Sequence, residues 1–282
     1  MKKIVMGYIT DSKIPISEDK KFFKIANKMN VELLPFNISS EIVQKEIEEK
    51  AKKCDIIFND SGFILAEEIV KTLEILGKKV TEPSKIYEFP EDKWLFFIQC
   101  AKNNIPTPIT ILLSLDLNSV KNQLNNFNHW PVVLKRVNGE RGEFVEKANN
   151  MNEAIRIIKH FWKKGNERLP IIAQEFIDSD SYRVTVIDGK IIQTALKKKV
   201  GWKATGCYAQ KFRHFKVDDD LKNIVEKLVK ITKINVCGID LVKKDSKWLA
   251  LEINAEPSLK MFDCEHDKLI ECVIKSLKKQ VY

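Results

Sequence analysis

Three side chains with oxygen donors interrupt two apolar segments near the end of the chain. Asp240 lies between Ile239 and Leu241, and Glu252 and Asn254 lie two residues apart in the second segment. Residues two apart in a strand project from one face, and the polar Lys-Asp-Ser-Lys between the segments predicts a hairpin that brings Asp240 to that face. Two carboxylates and an amide carbonyl suit Mg²⁺, which takes oxygen ligands. A solvent-facing position for these side chains is equally consistent with the pattern.

A lysine followed by two spaced glycines forms a second set of candidate residues. Residues 131–135 read as a strand that ends in Lys135, and the next segment contains Gly139 and Gly142. A lysine that projects from a strand can pair with a polyphosphate, and a glycine loop lets backbone N–H groups approach phosphate oxygens. The pattern indicates a phosphate site, although two glycines three residues apart are also typical of an ordinary turn.

Arg183 lies in an apolar segment that predicts a strand. Residues 182–187 and 190–192 flank an Asp-Gly pair, which is typical of a two-residue hairpin turn. An arginine in a strand needs a charged partner or an exposed position, because burying it alone is costly. The residues by themselves leave these options open.

At these motifs the chain resembles the ATP-grasp ligases, and among them the RimK-like branch of glutamate and amino-acid ligases. Its segments Gly-Ile-Asp-Leu and Leu-Glu-Ile-Asn-Ala-Glu-Pro-Ser are similar to the family's Gly-Val-Asp and Glu-Val-Asn-x-x-Pro. The resemblance extends from Lys93 to the end of the chain. It implies that Asp240, Glu252 and Asn254 bind Mg²⁺, with Mn²⁺ as a second candidate ion.

The resemblance also implies where the phosphates of ATP bind. Lys93 and Lys135 occupy the positions of the family's phosphate-binding lysines. Gly139 and Gly142 occupy those of its mobile glycine-rich flap. ATP is therefore the expected cofactor.

The family's adenine-binding hinge resembles the segment Glu175, Phe176 and Ile177. In relatives, backbone groups of the hinge hydrogen-bond the adenine edge, and an edge strand would offer the donor and the acceptor that adenine needs. Asp180 is the expected ribose contact, although the aligned position is Ser181.

Arg183 and Lys203 are the residues to which the resemblance assigns catalysis. Relatives carry an arginine at the position of Arg183 that faces the reacting carboxylate or acyl phosphate, which makes it the expected electrostatic catalyst. Lys203 and Thr205 replace an Arg-x-Asn that contacts phosphate and metal in relatives. A bulky Phe144 replaces a small residue beside the flap, so we expect a stiffer flap or a bulkier partner.

Alternating strand and helix patterns predict an α/β fold. The resemblance implies the ATP-grasp arrangement, in which an N-terminal parallel α/β lobe is followed by two lobes that sandwich ATP. We expect the first lobe at residues 1–90, a central lobe with the glycine flap at 91–177, and a C-terminal lobe with the metal site at 178–282. Strands separated by helices favour a parallel sheet in the first lobe.

Composition restricts the class of partner. The 282 residues carry a formal net charge of +9, which favours anionic partners. No segment approaches the ~20 apolar residues of a membrane span, so we expect no membrane partner. The six cysteines form no Cys-x-x-Cys pair, which is typical of free thiols in a reducing cytoplasm.

These observations predict a cytoplasmic, ATP-dependent carboxylate–amine ligase. It would form an amide bond through an acyl phosphate and release ADP and phosphate. Its substrates would be a small-molecule or peptide carboxylate and an amine, with a protein acceptor and a homo-oligomer as further options. A nucleotide-binding module without catalysis is the alternative, and a basic nucleic-acid-binding protein ranks third because the lysines form no block interleaved with aromatics.

Overall fold

The computed structural model of the chain describes residues 3–11, 17–40, 43–139, 143–163, 168–198, 201–203 and 212–281. These ranges contain a parallel sheet followed by two antiparallel sheets. The predicted α/β fold class is confirmed. None of the helices described is long and apolar enough to cross a membrane.

The first sheet is parallel, with strand order β2-β1-β3-β4. Its elements are β1 (Ile4–Thr10), α1 (Ser17–Lys28), β2 (Val31–Asn37), α2 (Gln44–Lys53), β3 (Ile56–Asn59), α3 (Ile64–Ile75) and β4 (Val80–Thr81). The central strand β1 is almost continuously apolar and buried, as expected when helices cover both faces of a parallel sheet. The carboxyl ends of these strands point toward the C-terminal part of the chain, where the Asn59 side chain donates to Glu256.

The second sheet is antiparallel, with strand order β5-β8-β6-β7. Its region comprises α4 (Ser84–Glu91), α5 (Lys93–Lys102), β5 (Thr110–Leu112), α6 (Leu117–Phe127), β6 (Val132–Arg136), β7 (Val145–Ala148), α7 (Met151–Lys163) and β8 (Ile171–Glu175). Helices α6 and α7 bury apolar residues at helical spacing, such as Val120 and Leu124 or Ala154 and Ile158, against one sheet face. The other face carries Lys135 and is left for the site. The sequence analysis did not identify α4, α6 or β7.

The third sheet has strand order β11-β10-β9-β12-β13. Its region comprises β9 (Ser181–Ile187), β10 (Lys190–Lys197), β11 (Phe212–Arg213), α8 (Asp219–Thr232), β12 (Val236–Lys244), β13 (Lys247–Asn254) and α9 (His266–Lys279). Both predicted hairpins are confirmed. Their turns, Asp188-Gly189 and Asp245-Ser246, have two residues with positive φ, which matches the twist of the flanking strands.

The first and third sheets share a core. Ile9 and Ile57 of the first sheet belong to the same buried cluster as Val184 and Ile239 of the third. Helix α9 packs against α1 in a second shared cluster. The second sheet has its own core with α6 and α7. The face of the third sheet that carries Asp240 and the face of the second that carries Lys135 are therefore supported by separate apolar cores.

Glu82 ties the end of the first sheet to the start of β12. It is buried, and its Oε1 accepts hydrogen bonds from the backbone N–H groups of Asn235 at 3.0 Å and Val236 at 2.9 Å. Burial raises the pKa of Glu82 to about 7, although the two N–H donors oppose the shift. The folded protein therefore binds this proton more tightly than the unfolded chain.

We expect Glu82→Gln to change how stability depends on pH. Because the folded pKa lies above the unfolded value, the wild-type free energy of unfolding should fall as pH rises from about 4.5 to about 7, by up to about 3 kcal/mol. The amide keeps an acceptor oxygen and removes this titration. Urea unfolding at pH 5 and pH 8 should show a smaller loss in Glu82→Gln than in the wild type. The exposed Glu88→Gln on α4 is the control, and an unchanged slope in Glu82→Gln would contradict the prediction.

Candidate functional site

The hairpin of β12 and β13 brings the three predicted metal ligands to one sheet face. Asp240 pairs directly with Glu252, and Asn254 pairs with Gly238 two residues further along the hairpin. The Asn254 amide nitrogen lies 3.4 Å from Asp240 Oδ2. Within the described ranges no group of three His, Cys, Asp or Glu side chains is placed to hold a metal, so this donor set depends on the Asn254 amide. Two carboxylates and an amide oxygen fit a hard divalent cation.

Asp240 is buried and is held by two cations. Arg183 of β9 donates through Nε to Oδ1 at 2.7 Å and through Nη2 to Oδ2. Lys197 of β10 lies 3.2 Å from Oδ1. Burial alone would raise the pKa of Asp240, but Arg183 and Lys197 hold it below its usual range. Of the options that the sequence left open for Arg183, the structure shows a bidentate ion pair.

Sequence analysis missed Lys197. Strand β10 continues to residue 197 rather than ending near 192, and its side chains at 193, 195 and 197 share a face with Arg183. Burial lowers the pKa of Lys197, and Asp240 opposes that shift. The period-two pattern of residues 193, 195 and 197 could have predicted that the strand continues to Lys197. It was obscured because three consecutive lysines resemble an exposed basic loop.

The predicted phosphate lysines lie on the second sheet and on α5. Lys135 Nζ donates to Gln174 Oε1 at 2.8 Å, and Lys93 Nζ donates to the Gly139 carbonyl at 2.7 Å. Lys93, Lys135 and Gln174 line a cavity together with Leu251 of β13. Burial lowers the pKa of Lys135 to about 8, and Glu252 and Asp240 oppose the shift. Gln174, which orients Lys135, was not identified from the sequence. Gly142 lies outside the described residues.

The hinge segment does not leave an edge strand, which corrects the sequence-based expectation. Strand β8 lies between β5 and β6 and pairs antiparallel with both. The N–H groups of Glu175 and Phe176 are bonded to the carbonyls of Ile109 and Pro131. Assignment of adenine to the backbone at 175–177 remains a prediction.

The Glu175 side chain links the second and third sheets. Its Oε1 accepts from the Ile109 N–H at 2.9 Å, and its Oε2 pairs with Lys244 at the end of β12. The Lys244 side chain is nearly half exposed, so its ammonium group keeps much of its hydration. The Glu175 carboxylate is buried and depends on Lys244 for its counter-charge. The pair therefore links residues 175–177 to the hairpin of β12 and β13.

Aromatic and basic side chains surround the far end of the hinge. The Phe176 and Trp202 rings meet edge to face, with centroids 6.5 Å apart. Lys147 Nζ lies 4.7 Å from the Phe176 centroid. Lys203 lies 5.1 Å from the Trp202 centroid and 3.6 Å from Glu146 Oε1, so in this structure it contacts Trp202 and Glu146. Thr205 lies outside the described residues.

Two further predicted positions are Asp180 and Phe144. Asp180 is half-buried just before β9, and the aligned Ser181 is buried as its first residue. The Phe144 ring lies 3.6 Å from the Arg136 guanidinium and meets Phe161 edge to face. Phe144 therefore packs onto α7, which anchors the strand that follows the glycine turn.

Comparison with known proteins identifies the family. A RimK-like ATP-grasp domain matches residues 90–277, about two thirds of the chain, so the chain belongs to the RimK-like ATP-grasp family. The predicted enzyme class, an ADP-forming ATP-grasp carboxylate–amine ligase, is confirmed.

Named relatives and solved structures agree with this family. The chain is 26% identical over 256 residues to the coenzyme gamma-F420-2:alpha-L-glutamate ligase of Methanococcus maripaludis, covering 86% of this chain and 85% of that protein. It is 26% identical to a probable alpha-L-glutamate ligase of Mannheimia succiniciproducens, covering 63% and 59%.

The solved structures show the same fold. A RimK domain ATP-grasp protein from Sphaerobacter thermophilus superposes with a TM-score of 0.78 at 12% identity, covering 96% of this chain and 98% of that one. The D-alanine–D-alanine ligase of Bacillus anthracis in complex with ATP gives 0.76 at 17% identity, covering 99% and 98%.

We expect Lys244→Met to weaken ATP binding by loosening the hinge. The buried Glu175 carboxylate would lose its cation, and a half-exposed pair of this kind contributes about 1 kcal/mol, or about fivefold in affinity. The KM for ATP should rise about fivefold with little change in kcat. Lys247→Met, an exposed lysine in the same hairpin, is the matched control. Equal KM values for the two variants would show that the ion pair does not position the hinge.

Proposed function

We propose that this chain joins L-glutamate, or a closely similar α-amino acid, to a small-molecule or peptide carboxylate at the expense of ATP, through an acyl phosphate. The observation that carries the proposal is that the phosphate lysine and the candidate metal carboxylates face each other across two sheets. Lys135 of the second sheet and Leu251, the neighbour of Glu252 in β13, line one cavity, and Glu252 and Asp240 oppose the lowering of the Lys135 pKa by burial. A triphosphate between them would meet cations on one side and a divalent-ion site on the other.

Two observations support an anionic amino acid as substrate. Relatives that match most of this chain bear names that specify glutamate as the amino acid that they ligate. The net charge of +9 favours acidic substrates and nucleotides.

The candidate ion site would be formed by Asp240, Glu252 and Asn254, with Mg²⁺ preferred and Mn²⁺ accepted. The bound ion would neutralise negative charge on the phosphates during transfer. Lys93 and Lys135 would hold the same phosphates from the opposite side as point charges.

In the first step a substrate carboxylate oxygen attacks the γ-phosphorus. The bond from that phosphorus to the oxygen bridging it to the β-phosphorus breaks, and ADP leaves. Lys93 and Lys135 stabilise the charge that develops on the phosphates. Closure of the glycine turn at Gly139 over the site would keep out water, which otherwise hydrolyses the acyl phosphate.

In the second step the neutral amine nitrogen attacks the acyl carbon. The tetrahedral intermediate carries a negative oxygen, which we place beside the Arg183 guanidinium. The carbon–oxygen bond to phosphate then breaks, phosphate leaves, and the nitrogen loses a proton to give the amide. Lys203 would add positive charge near the nucleotide, and Asp180 would contact the ribose.

The first test is ADP release from Mg-ATP with a panel of carboxylates, with and without L-glutamate. We expect ADP and a new amide product only when a particular carboxylate is present together with the amino acid. With the carboxylate and hydroxylamine in place of the amino acid, a hydroxamate should form, because hydroxylamine traps an acyl phosphate. ADP without any hydroxamate would contradict the proposed intermediate.

The second test is Glu252→Gln. Loss of one metal carboxylate should lower kcat more than about 100-fold, because a catalytic metal contributes several kcal/mol of charge stabilisation. ATP affinity in the absence of metal should stay within a few fold, since Lys93 and Lys135 are unchanged. Glu271→Gln on the surface of α9 is the control, and retained turnover in Glu252→Gln would refute the metal assignment.

A further inference from the structure

Lys197 is a buried cation that the proposed reaction has not used. Its side chain is 1% exposed, and its Nζ lies 3.2 Å from Asp240 Oδ1. An ammonium group loses its hydration when it is buried and is retained there only with a charged partner. Its position in β10, opposite Ser181, directs it onto the same carboxylate that Arg183 already holds.

Asp240 therefore has both oxygens engaged before any ligand binds. Arg183 contacts both oxygens, Lys197 contacts Oδ1, and Asn254 Nδ2 lies near Oδ2. Two cations and the carboxylates of Asp240 and Glu252 leave this part of the face without net charge. A free divalent cation would have to displace two ion pairs and approach two positive groups.

A nucleotide changes this balance. Its phosphates bring several negative charges, and Lys93 at the start of α5 and Lys135 on the second sheet line one cavity where they could receive them. A metal that arrives with the phosphates carries its own counter-charge, so repulsion from Lys197 and Arg183 is offset. The positive groups beside Asp240 therefore weaken the affinity of this site for a free divalent cation more than its affinity for a cation bound to nucleotide phosphates.

We infer that Lys197 suppresses binding of free divalent cations at Asp240 and makes metal binding depend on bound nucleotide. This inference rests on the proposed metal site at Asp240, Glu252 and Asn254. Lys197 acts through Asp240 and is a positioning residue. Arg183 contributes to the same effect, but its proposed role beside the reacting carbon makes it unsuitable as a test.

The test is a titration of the full chain with Mn²⁺, followed by the electron paramagnetic resonance signal of the unbound ion. It is run without nucleotide and with a non-hydrolysable ATP analogue. The wild type should bind Mn²⁺ weakly alone and much more tightly with the analogue. Lys197→Met should bind Mn²⁺ without nucleotide about tenfold or more tightly than the wild type, because one unit charge beside a ligand has been removed.

Two variants serve as controls for charge and position. Lys198→Met removes the next lysine, which is exposed, and should match the wild type. Lys197→Arg keeps the positive charge and should also bind free Mn²⁺ weakly. Mn²⁺ affinity in Lys197→Met that equals or falls below the wild-type value overturns the inference, and so does a gain in Lys197→Arg as large as that in Lys197→Met.

Failure of the metal site itself has a different signature. Glu252→Gln should weaken Mn²⁺ binding in the presence of the analogue, and no effect there would overturn the metal site and the inference together. Weakening in Glu252→Gln without a gain in Lys197→Met would overturn the inference alone. If Lys197→Met does not fold by circular dichroism, Lys197→Gln takes its place in the same titration and must show the same gain.

Discussion

The arrangement of the third sheet depends on one buried carboxylate and the cations around it. Asp240 lies on β12, Arg183 on β9 and Lys197 on β10, while Glu252 faces Asp240 from β13. A buried charge is tolerated only when its partners are in place. A slip of one residue in any of these strands would turn its charged side chain to the opposite face, where the packing against α8 is apolar. The ion cluster and the apolar face therefore specify the same register.

The site lies between two separately packed bodies, which is suited to a reaction that requires closure. The first and third sheets share buried clusters, whereas the second sheet packs on α6 and α7. Direct links between the bodies include the Glu175–Lys244 pair and the bond from Ala250 N–H to the Pro106 carbonyl at 2.8 Å. Both of these contacts are polar and involve few residues, which is typical of interfaces between parts of a chain that move relative to one another.

Polar groups at residues 174–176 already have hydrogen-bond partners within the protein, which limits how many of them could bind a nucleotide. The Glu175 carboxylate is engaged by Ile109 and Lys244, and the backbone N–H groups at 175 and 176 belong to the sheet. Gln174 orients Lys135 from the neighbouring strand. The proposed recognition of the nucleotide at this end would therefore depend on groups held rigidly by the sheet, with Phe176 and Trp202 as a neighbouring apolar surface.

Local pattern in the sequence was sufficient to predict the hairpins and the placement of Asp240, Glu252 and Asn254 on one face. These predictions needed only the two-residue period of a strand and the chemistry of the turns. The parallel α/β arrangement at the start followed from alternating strand and helix patterns in the same way. Helix α6 carries its apolar residues at helical spacing behind the N-cap Asp116, so this helix was also predictable from local pattern, although it was not identified.

Only the tertiary structure decided which cations meet Asp240 and what holds the hinge. Three consecutive lysines at 197–199 look alike in sequence, and the pairing of β10 with β9 determines that Lys197 is buried. Likewise, β8 became an interior strand because β5 and β6 flank it, although β5 is separated from it by some sixty residues in sequence. Strand order and burial arise from contacts between distant segments, whereas periodicity is a property of a few neighbouring residues. For that reason the shared face of Asp240, Glu252 and Asn254 could be predicted from the sequence, and the cations that balance Asp240 could not.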